Sequence, residues 1–141
     1  EDIGLANTNA LLIANNCFQA VQAIGWPEAR LVLAQCTLYL ASSLKGNASY
    51  MAINNAQQLV KETGNLGVPL PLRNAPTKLM KDLGYGKGYL YSHDFPGNFA
   101  QQDFLPTEID GMNFFNAGSS PKEQEIAQNI DRLWGNKYNK K

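Results

Sequence analysis

Between Thr8 and Gly25 the apolar residues do not keep to one side. Ala10, Leu11, Leu12, Ile13, Ala14, Cys17, Phe18, Ala20, Val21 and Ile24 cover most of the circumference of the helix their spacing predicts, with Thr8 or Asn9 placed to cap it. A helix that is apolar nearly all round is central rather than peripheral, so Phe18 reads as core, and so does Trp26 just beyond it. Gly25 stops this helix and Trp26-Pro27-Glu28 restarts the chain: proline suits the first helical position, and glutamate favours the positive end of the dipole. The second predicted helix runs roughly from Pro27 to Leu44, with Leu31, Leu33, Ala34, Leu38 and Ala41 on adjoining faces. So short a link makes it antiparallel to the first. Lys45-Gly46-Asn47 repeats the punctuation, and a third helix follows from about Ala48 to Glu62 through Met51, Ile53, Ala56, Leu59 and Val60, with Gly64 to end it.

The helical pattern breaks at Val68 to Pro76. Pro69, Pro71 and Pro76 each fix their own φ and push the preceding residue out of the helical region, which holds the stretch extended. Thr77 then offers an oxygen to cap a short helix, Lys78 to Leu83, and Gly84 is placed to end it in a left-handed conformation. Gly84, Gly86 and Gly88 alternate with Tyr85, Lys87 and Tyr89. Ordering such a segment costs entropy, so its tyrosines are expected to dock on this domain or on a partner. Further on, aromatic residues fall among Gly, Pro, Asn and Asp. Tyr89-Leu90-Tyr91 and Met112-Asn113-Phe114-Phe115 read as short strands that pair, and Phe99 to Phe104 as one helical turn. Pro121 opens a last helix with Glu123 and Glu125 in its first turn and Ile126, Ile130, Leu133 and Trp134 on one stripe, and the basic tail from Asn136 to Lys141 is expected to fray. The fold class is therefore all-α: a compact helical bundle with a three-helix core over 1–64. A Pro/Gly/aromatic-rich segment over 65–120 packs on that core with a short helix and a minor two-stranded element. An amphipathic helix and basic tail occupy 121–141.

With 141 residues the chain is one domain's worth. Its 12 basic and 12 acidic residues cancel, so no global field draws nucleic acid or an anionic membrane, and any such contact must be local. Cys17 and Cys36 both sit in apolar helical patterns, which predicts reduced core thiols rather than a disulfide framework, as in a cytoplasmic protein. No apolar run approaches the roughly 20 residues needed to cross a bilayer, and no charged-then-apolar leader opens the chain. The start at Glu1, without methionine, suggests a piece of something longer.

Catalytic chemistry finds little purchase. Gly86-Lys87-Gly88 fails the phosphate-loop pattern, because no glycine stands five residues before Gly86 and no Ser or Thr follows Lys87. Nor does a βαβ unit surround the glycines to make a dinucleotide fingerprint. His93-Asp94 contains the one histidine; a hydrolase built there ranks last, because a metal site needs further ligands and no nucleophile motif accompanies it, so a structural hydrogen-bonding role is favoured. No residue is assigned to catalysis, a cofactor or a metal. What remains is electrostatic: Arg73, Lys78, Lys81 and Lys87 against Asp82 and Asp94, with Tyr85, Tyr89 and Tyr91 among them. Basic groups beside aromatic faces hold single strands by neutralising phosphate and stacking bases. The bland alternative is that the lysines form a solvated face and the tyrosines cover the core.

Several strings carry a longer likeness: Glu1-Asp2-Ile3-Gly4-Leu5-Ala6, Ile24-Gly25-Trp26-Pro27-Glu28-Ala29-Arg30 with Leu33-Ala34-Gln35, and Tyr39-Leu40-Ala41. They continue in Leu72-Arg73-Asn74-Ala75-Pro76-Thr77-Lys78-Leu79-Met80, Gly84-Tyr85-Gly86-Lys87-Gly88-Tyr89, His93-Asp94 and Gln101-Gln102-Asp103-Phe104-Leu105-Pro106. Together they resemble the C-terminal region of the replication-associated recombination protein A family, also called MgsA, whose eukaryotic relatives are the Werner-helicase-interacting ATPases. The likeness runs from about Glu1 to Phe115, and the last helix and tail match only in kind. It implies an all-α C-terminal domain that assembles a clamp-loader-like AAA+ ATPase into a tetramer, and self-association is expected to run through helical surfaces together with the Pro71 to Tyr91 segment. It further implies a protein acting at stalled or gapped replication forks, near DNA and single-stranded-DNA-binding protein, in the cytoplasm at the nucleoid. ATP and magnesium would belong to a core N-terminal to this piece, so this chain by itself would hydrolyse nothing. Where Leu90 stands the family often has lysine, and where Ser92 stands proline or alanine, so a DNA role resting on that loop is weaker in this chain.

Overall fold

The computed structural model describes residues 1–135 and 137–138. The helices are α1 (Asn9–Ile24), α2 (Ala29–Ala41), α3 (Ala48–Thr63), α4 (Lys78–Asp82) and α5 (Pro121–Trp134), joined by loops and single 3-10 turns. The class is all-α, and among the described residues there is no strand. No described helix is long and apolar enough to cross a membrane. The chain divides into two compact units, Glu1–Ala56 with Phe114–Asn129, and Gln57–Asn113 with Ile130–Lys141.

In the first unit α1 and α2 form an antiparallel hairpin: Asn7, just ahead of α1, donates to the hydroxyls of Tyr39 (3.1 Å) and Ser43 (3.0 Å) near the end of α2. Further along, the Cys17 thiol meets the Val32 carbonyl at 3.8 Å. Thr8 stands at the N-cap of α1, within the predicted pair, but its side chain makes no cap hydrogen bond; the Asn7 side-chain oxygen accepts from the Asn9 N–H at 3.2 Å instead. Pro27 does not open α2 either; it follows a cis peptide bond from Trp26, and the helix begins at Ala29. Small residues line the seam. Ala10 and Cys17 are buried on α1, and Ala29 and Cys36 on α2, each pair seven residues apart and so on one face of its helix. Burial pushes the Cys17 thiol above its ordinary value, and the neighbouring Cys36 thiol adds to the rise. Both cysteines are free and buried, as expected.

The large apolar residues take the opposite course. Phe18 is 63% exposed and Trp26 72%, so neither is core, and Leu11, Leu12, Leu31 and Leu38 are all above 60% exposed. Two helices that approach through alanine and cysteine leave no space between them for phenylalanine and leucine.

A second knot in this unit ties the start of the chain to α5. Gly46 N–H donates to the Asp2 carbonyl at 3.0 Å, and Gly4, at φ +48°, passes so close that a Cβ there would lie 2.7 Å from the Gly46 oxygen. On another side Gly46 faces Glu123, which is 1% exposed. The Ser120 hydroxyl donates to Glu123 Oε2 at 2.9 Å and accepts from the Glu123 N–H at 3.3 Å, capping α5 just ahead of Pro121.

The second unit is mostly irregular backbone, held at specific points. Thr77 Oγ1 accepts from the Met80 N–H at 3.3 Å and caps α4, as its position predicts. The expected pairing of Tyr89–Tyr91 with Met112–Phe115 does not form. The Gln102 side chain occupies that role: its amide donates to the Leu90 carbonyl (3.1 Å) and its oxygen accepts from the Leu90 N–H (3.2 Å), so one side chain satisfies both groups a strand partner would have taken. Phe99 to Phe104 forms no helical turn; its two aromatic rings pack on Trp134, with centroids 4.8 Å away for Phe99 and 5.9 Å for Phe104. The tail departs from expectation at Lys137 and Tyr138: Lys137 Nζ donates to the Gln102 carbonyl at 2.9 Å and pairs with Asp103, and the Tyr138 ring packs edge-on against Trp134. The rest of the expected frayed tail, Asn136 and Asn139 to Lys141, lies outside the described residues.

Candidate functional site

The basic and aromatic residues singled out by the sequence all lie in the second unit, where the structure sorts them into two groups. Arg73 follows the 3-10 turn Leu70–Leu72, and its side chain folds back on the chain. Nε donates to the Val68 carbonyl, Nη1 to the Tyr85 hydroxyl at 3.3 Å, and the guanidinium carbon stands 5.1 Å from the Tyr85 ring centroid. Stacking of this kind satisfies the cation and orders the ring at once. The backbone joins in, since the Gly86 N–H donates to the Leu70 carbonyl at 2.8 Å. Arg73 and Tyr85 are thus the clasp that holds the glycine-rich loop on the proline-rich stretch. That loop needs its glycines, because residues 84, 86 and 88 all have φ near +80° or +70°, where a side chain is strained.

Lys78, Lys81, Lys87, Tyr89 and Tyr91 form the second group, and they face solvent. Tyr89 is 50% and Tyr91 54% exposed, and the three lysines make no ion pair among the described residues. A cavity of about 450 Å³ opens beside them, lined by Arg73, Asn74, Ala75, Gly86 and Tyr89 among others. His93 lies in the turn Ser92–Asp94 with its ring 5.1 Å from that of Tyr91. Neither His93 nor Asp94 makes a side-chain hydrogen bond among the described residues, so the contact there is ring against ring rather than the hydrogen bond expected. No group of His, Cys, Asp and Glu able to hold a metal occurs among the described residues.

The arrangement most at odds with the sequence reading is in the first unit. Leu11 and Phe18 are seven apart on α1, Leu31 and Leu38 seven apart on α2, and each pair shares a helix face turned to solvent. A signal for this was present in the sequence. Along each helix one seven-residue pair is small, Ala10 with Cys17 and Ala29 with Cys36, and another is large, so the helices carry one face suited to close approach and one suited to a further partner. The Ser120-Pro121-Lys122-Glu123 capping box was equally legible and was not recognised as a buried anchor.

Comparison with known proteins bears on both units. The family described as MgsA AAA+ ATPase C terminal matches residues 1–134. Replication-associated recombination protein A of Coxiella burnetii is 47% identical over 116 residues, 82% of this chain and 26% of that protein. The protein of the same name in Escherichia coli K12 is 34% identical over 131 residues, 92% of this chain and 29% of that protein. ATPase WRNIP1 of Dictyostelium discoideum is 40% identical over 116 residues, 82% of this chain and 13% of that protein. The chain thus spans less than a third of the length of each of these relatives.

Proposed function

The chain belongs to the family of MgsA AAA+ ATPase C-terminal domains, and from that premise we propose that it is the assembly domain of a longer, clamp-loader-like ATPase, joining copies of itself into a tetramer. The observation that carries this reading is the large apolar surface left exposed on the α1–α2 hairpin, where Leu11 and Phe18 on α1 and Leu31 and Leu38 on α2 are each above 60% exposed. Isolated exposed leucines are ordinary, but large apolar side chains grouped at helical spacing on one hairpin mark a binding surface. Burying these four side chains contributes on the order of 6–10 kcal/mol per subunit before the cost of association is met. In this reading the chain hydrolyses nothing; ATP and magnesium are handled by the part of the longer protein N-terminal to it. The assembled protein works on DNA at stalled forks, near single-stranded-DNA-binding protein, in the cytoplasm at the nucleoid. Light scattering across a range of concentrations tests the reading. The expected mass is about four times the 15.5 kDa of one chain, and a single-chain mass at every concentration would overturn it.

A second reading is favoured by one observation. With Arg73 and Tyr85 committed to each other, Lys78, Lys81, Lys87, Tyr89 and Tyr91 remain exposed on one stretch of chain, the composition of a single-strand contact. If each lysine neutralises one phosphate, the logarithm of the binding constant for an unstructured oligonucleotide falls against the logarithm of salt with a slope of about −2. Each lysine replaced by alanine then flattens the slope by about 0.7. Binding that ignores salt would sink this reading.

A further inference from the structure

A second cavity lies in the second unit, apart from the exposed lysines and tyrosines. It is a groove of about 650 Å³ between Gly67–Pro71, which runs into the 3-10 turn at Leu70, and the segment from Gln101 to Asp110. This volume is in the range of ligand sites. Its apolar lining includes Leu90, Leu105 and Pro106, all partly buried, and Val68 and Leu70, 55% and 45% exposed. Four charged residues line it: Arg73, Asp103, Glu108 and Asp110.

These charges are not equivalent. Arg73 is spent on the Val68 carbonyl and on the ring and hydroxyl of Tyr85. Asp103 already pairs with Lys137, whose ammonium also meets the Gln102 carbonyl at 2.9 Å and stands 5.0 Å from the Trp134 ring centroid. Glu108 and Asp110 meet no cation among the described residues. Glu108 and Asp110 are thus the carboxylates of the lining without an ion-pair partner among the described residues, and although Arg73 keeps its charge, the balance of the groove is negative, which repels phosphate and favours a cation. Two residues of the lining, Gln102 through its carbonyl and Asp103 through its carboxylate, already hold one ammonium, that of Lys137, which lies outside the groove beside the rings of Trp134 and Tyr138.

We infer that the groove receives a short extended segment of another protein, carrying a lysine or arginine flanked by apolar side chains. The apolar side chains lie on Leu70, Leu105 and Pro106, and the cation meets Glu108 and Asp110. The assembly surface proposed above is on α1 and α2, so the two contacts involve different residues and are read by different measurements.

The test is fluorescence anisotropy of a labelled, end-blocked pentapeptide alternating leucine and lysine, titrated with the chain, beside a peptide in which glutamate replaces lysine. The lysine peptide is expected to bind at least ten-fold more tightly than the glutamate peptide. The pair Glu108→Lys and Asp110→Lys is expected to weaken it at least ten-fold. The milder pair Glu108→Gln and Asp110→Asn, which adds no repulsion to the fold, is expected to weaken it several-fold with an unchanged circular dichroism spectrum. Equal affinity for the two peptides, absence of binding at millimolar peptide, or undiminished binding by the milder pair would overturn the inference. So would a change in oligomeric mass caused by either pair, because the groove would then be occupied by a second copy.

Discussion

Gly46→Ala is expected to destabilise the chain by about 2–4 kcal/mol, at the upper end of what overpacking a filled site costs. Nothing about the backbone of Gly46 forbids a side chain; the obstacle is its neighbour. A Cβ would lie 2.6 Å from Glu123 Oε1, 3.0 Å from Cδ and 3.1 Å from Oε2, inside van der Waals contact with the whole carboxylate. An exposed glutamate would swing aside, but Glu123 is 1% exposed, and a Cβ on Gly118 would be 2.7 Å from its Oε2, so the carboxylate is gripped from two directions. Its Oε2 also takes the Ser120 hydroxyl that caps α5, and moving it disturbs the cap. Guanidinium denaturation supplies the measurement: a lower midpoint with an unchanged slope reports the lost stability. A double-mutant cycle isolates the cause. Glu123→Ala by itself loses the buried anchor, but in the Gly46→Ala background it removes the clash, so the two changes together should cost at least 1 kcal/mol less than their sum. Strict additivity would show that the carboxylate is not what excludes the methyl group.

Phe18→Asp combined with Leu31→Asp is expected to weaken self-association by at least about 100-fold while leaving the chain folded, since a desolvated charge at the centre of an apolar contact costs several kcal/mol. The two residues are 63% and 65% exposed in the single chain, so neither substitution creates a cavity or strips a partner within it. Changes at such positions alter the stability of a chain by only about 0.5 kcal/mol. Most core substitutions lower stability and assembly together; here the two separate. The seam residues serve as the contrast. Cys17→Leu enlarges a buried position between α1 and α2 and should lower stability before it touches assembly. Sedimentation velocity and thermal melts on the same samples read both quantities. An unchanged mass for the doubly charged variant would move the assembly surface elsewhere on the chain.

The local signals that the structure reproduces are those written in one or a few neighbouring residues. Thr77 caps α4, Gly84 turns left-handed after it, α3 begins at Ala48, and Pro121 opens α5. A cap or a turn is decided by groups a few bonds apart, and the residues themselves name it. The basic and aromatic residues from Arg73 to Tyr91 were likewise visible as a set. Their division was not, because only the fold brings Arg73 against Tyr85 twelve positions away and leaves three lysines and two tyrosines outside.

Elsewhere the same composition allowed two answers, and packing chose. An all-round apolar α1 predicts burial of Phe18, yet the seam with α2 closes on Ala10, Cys17, Ala29 and Cys36 and shuts the large side chains out. Aromatic alternation at Tyr89–Tyr91 predicts a strand, yet Gln102 satisfies Leu90 with a side chain and makes a strand partner unnecessary. By itself the sequence determined that this is an all-helical domain of the MgsA family, with the cap of α4, the left-handed turn at Gly84, the opening of α5 at Pro121 and the set of basic and aromatic residues from Arg73 to Tyr91. Only the tertiary structure decided which apolar face is inside, which cation is spent and which carboxylates are left without one. The reason is physical: helix ends and turns are set by short-range geometry, whereas burial and charge pairing depend on which distant residues arrive at the same place.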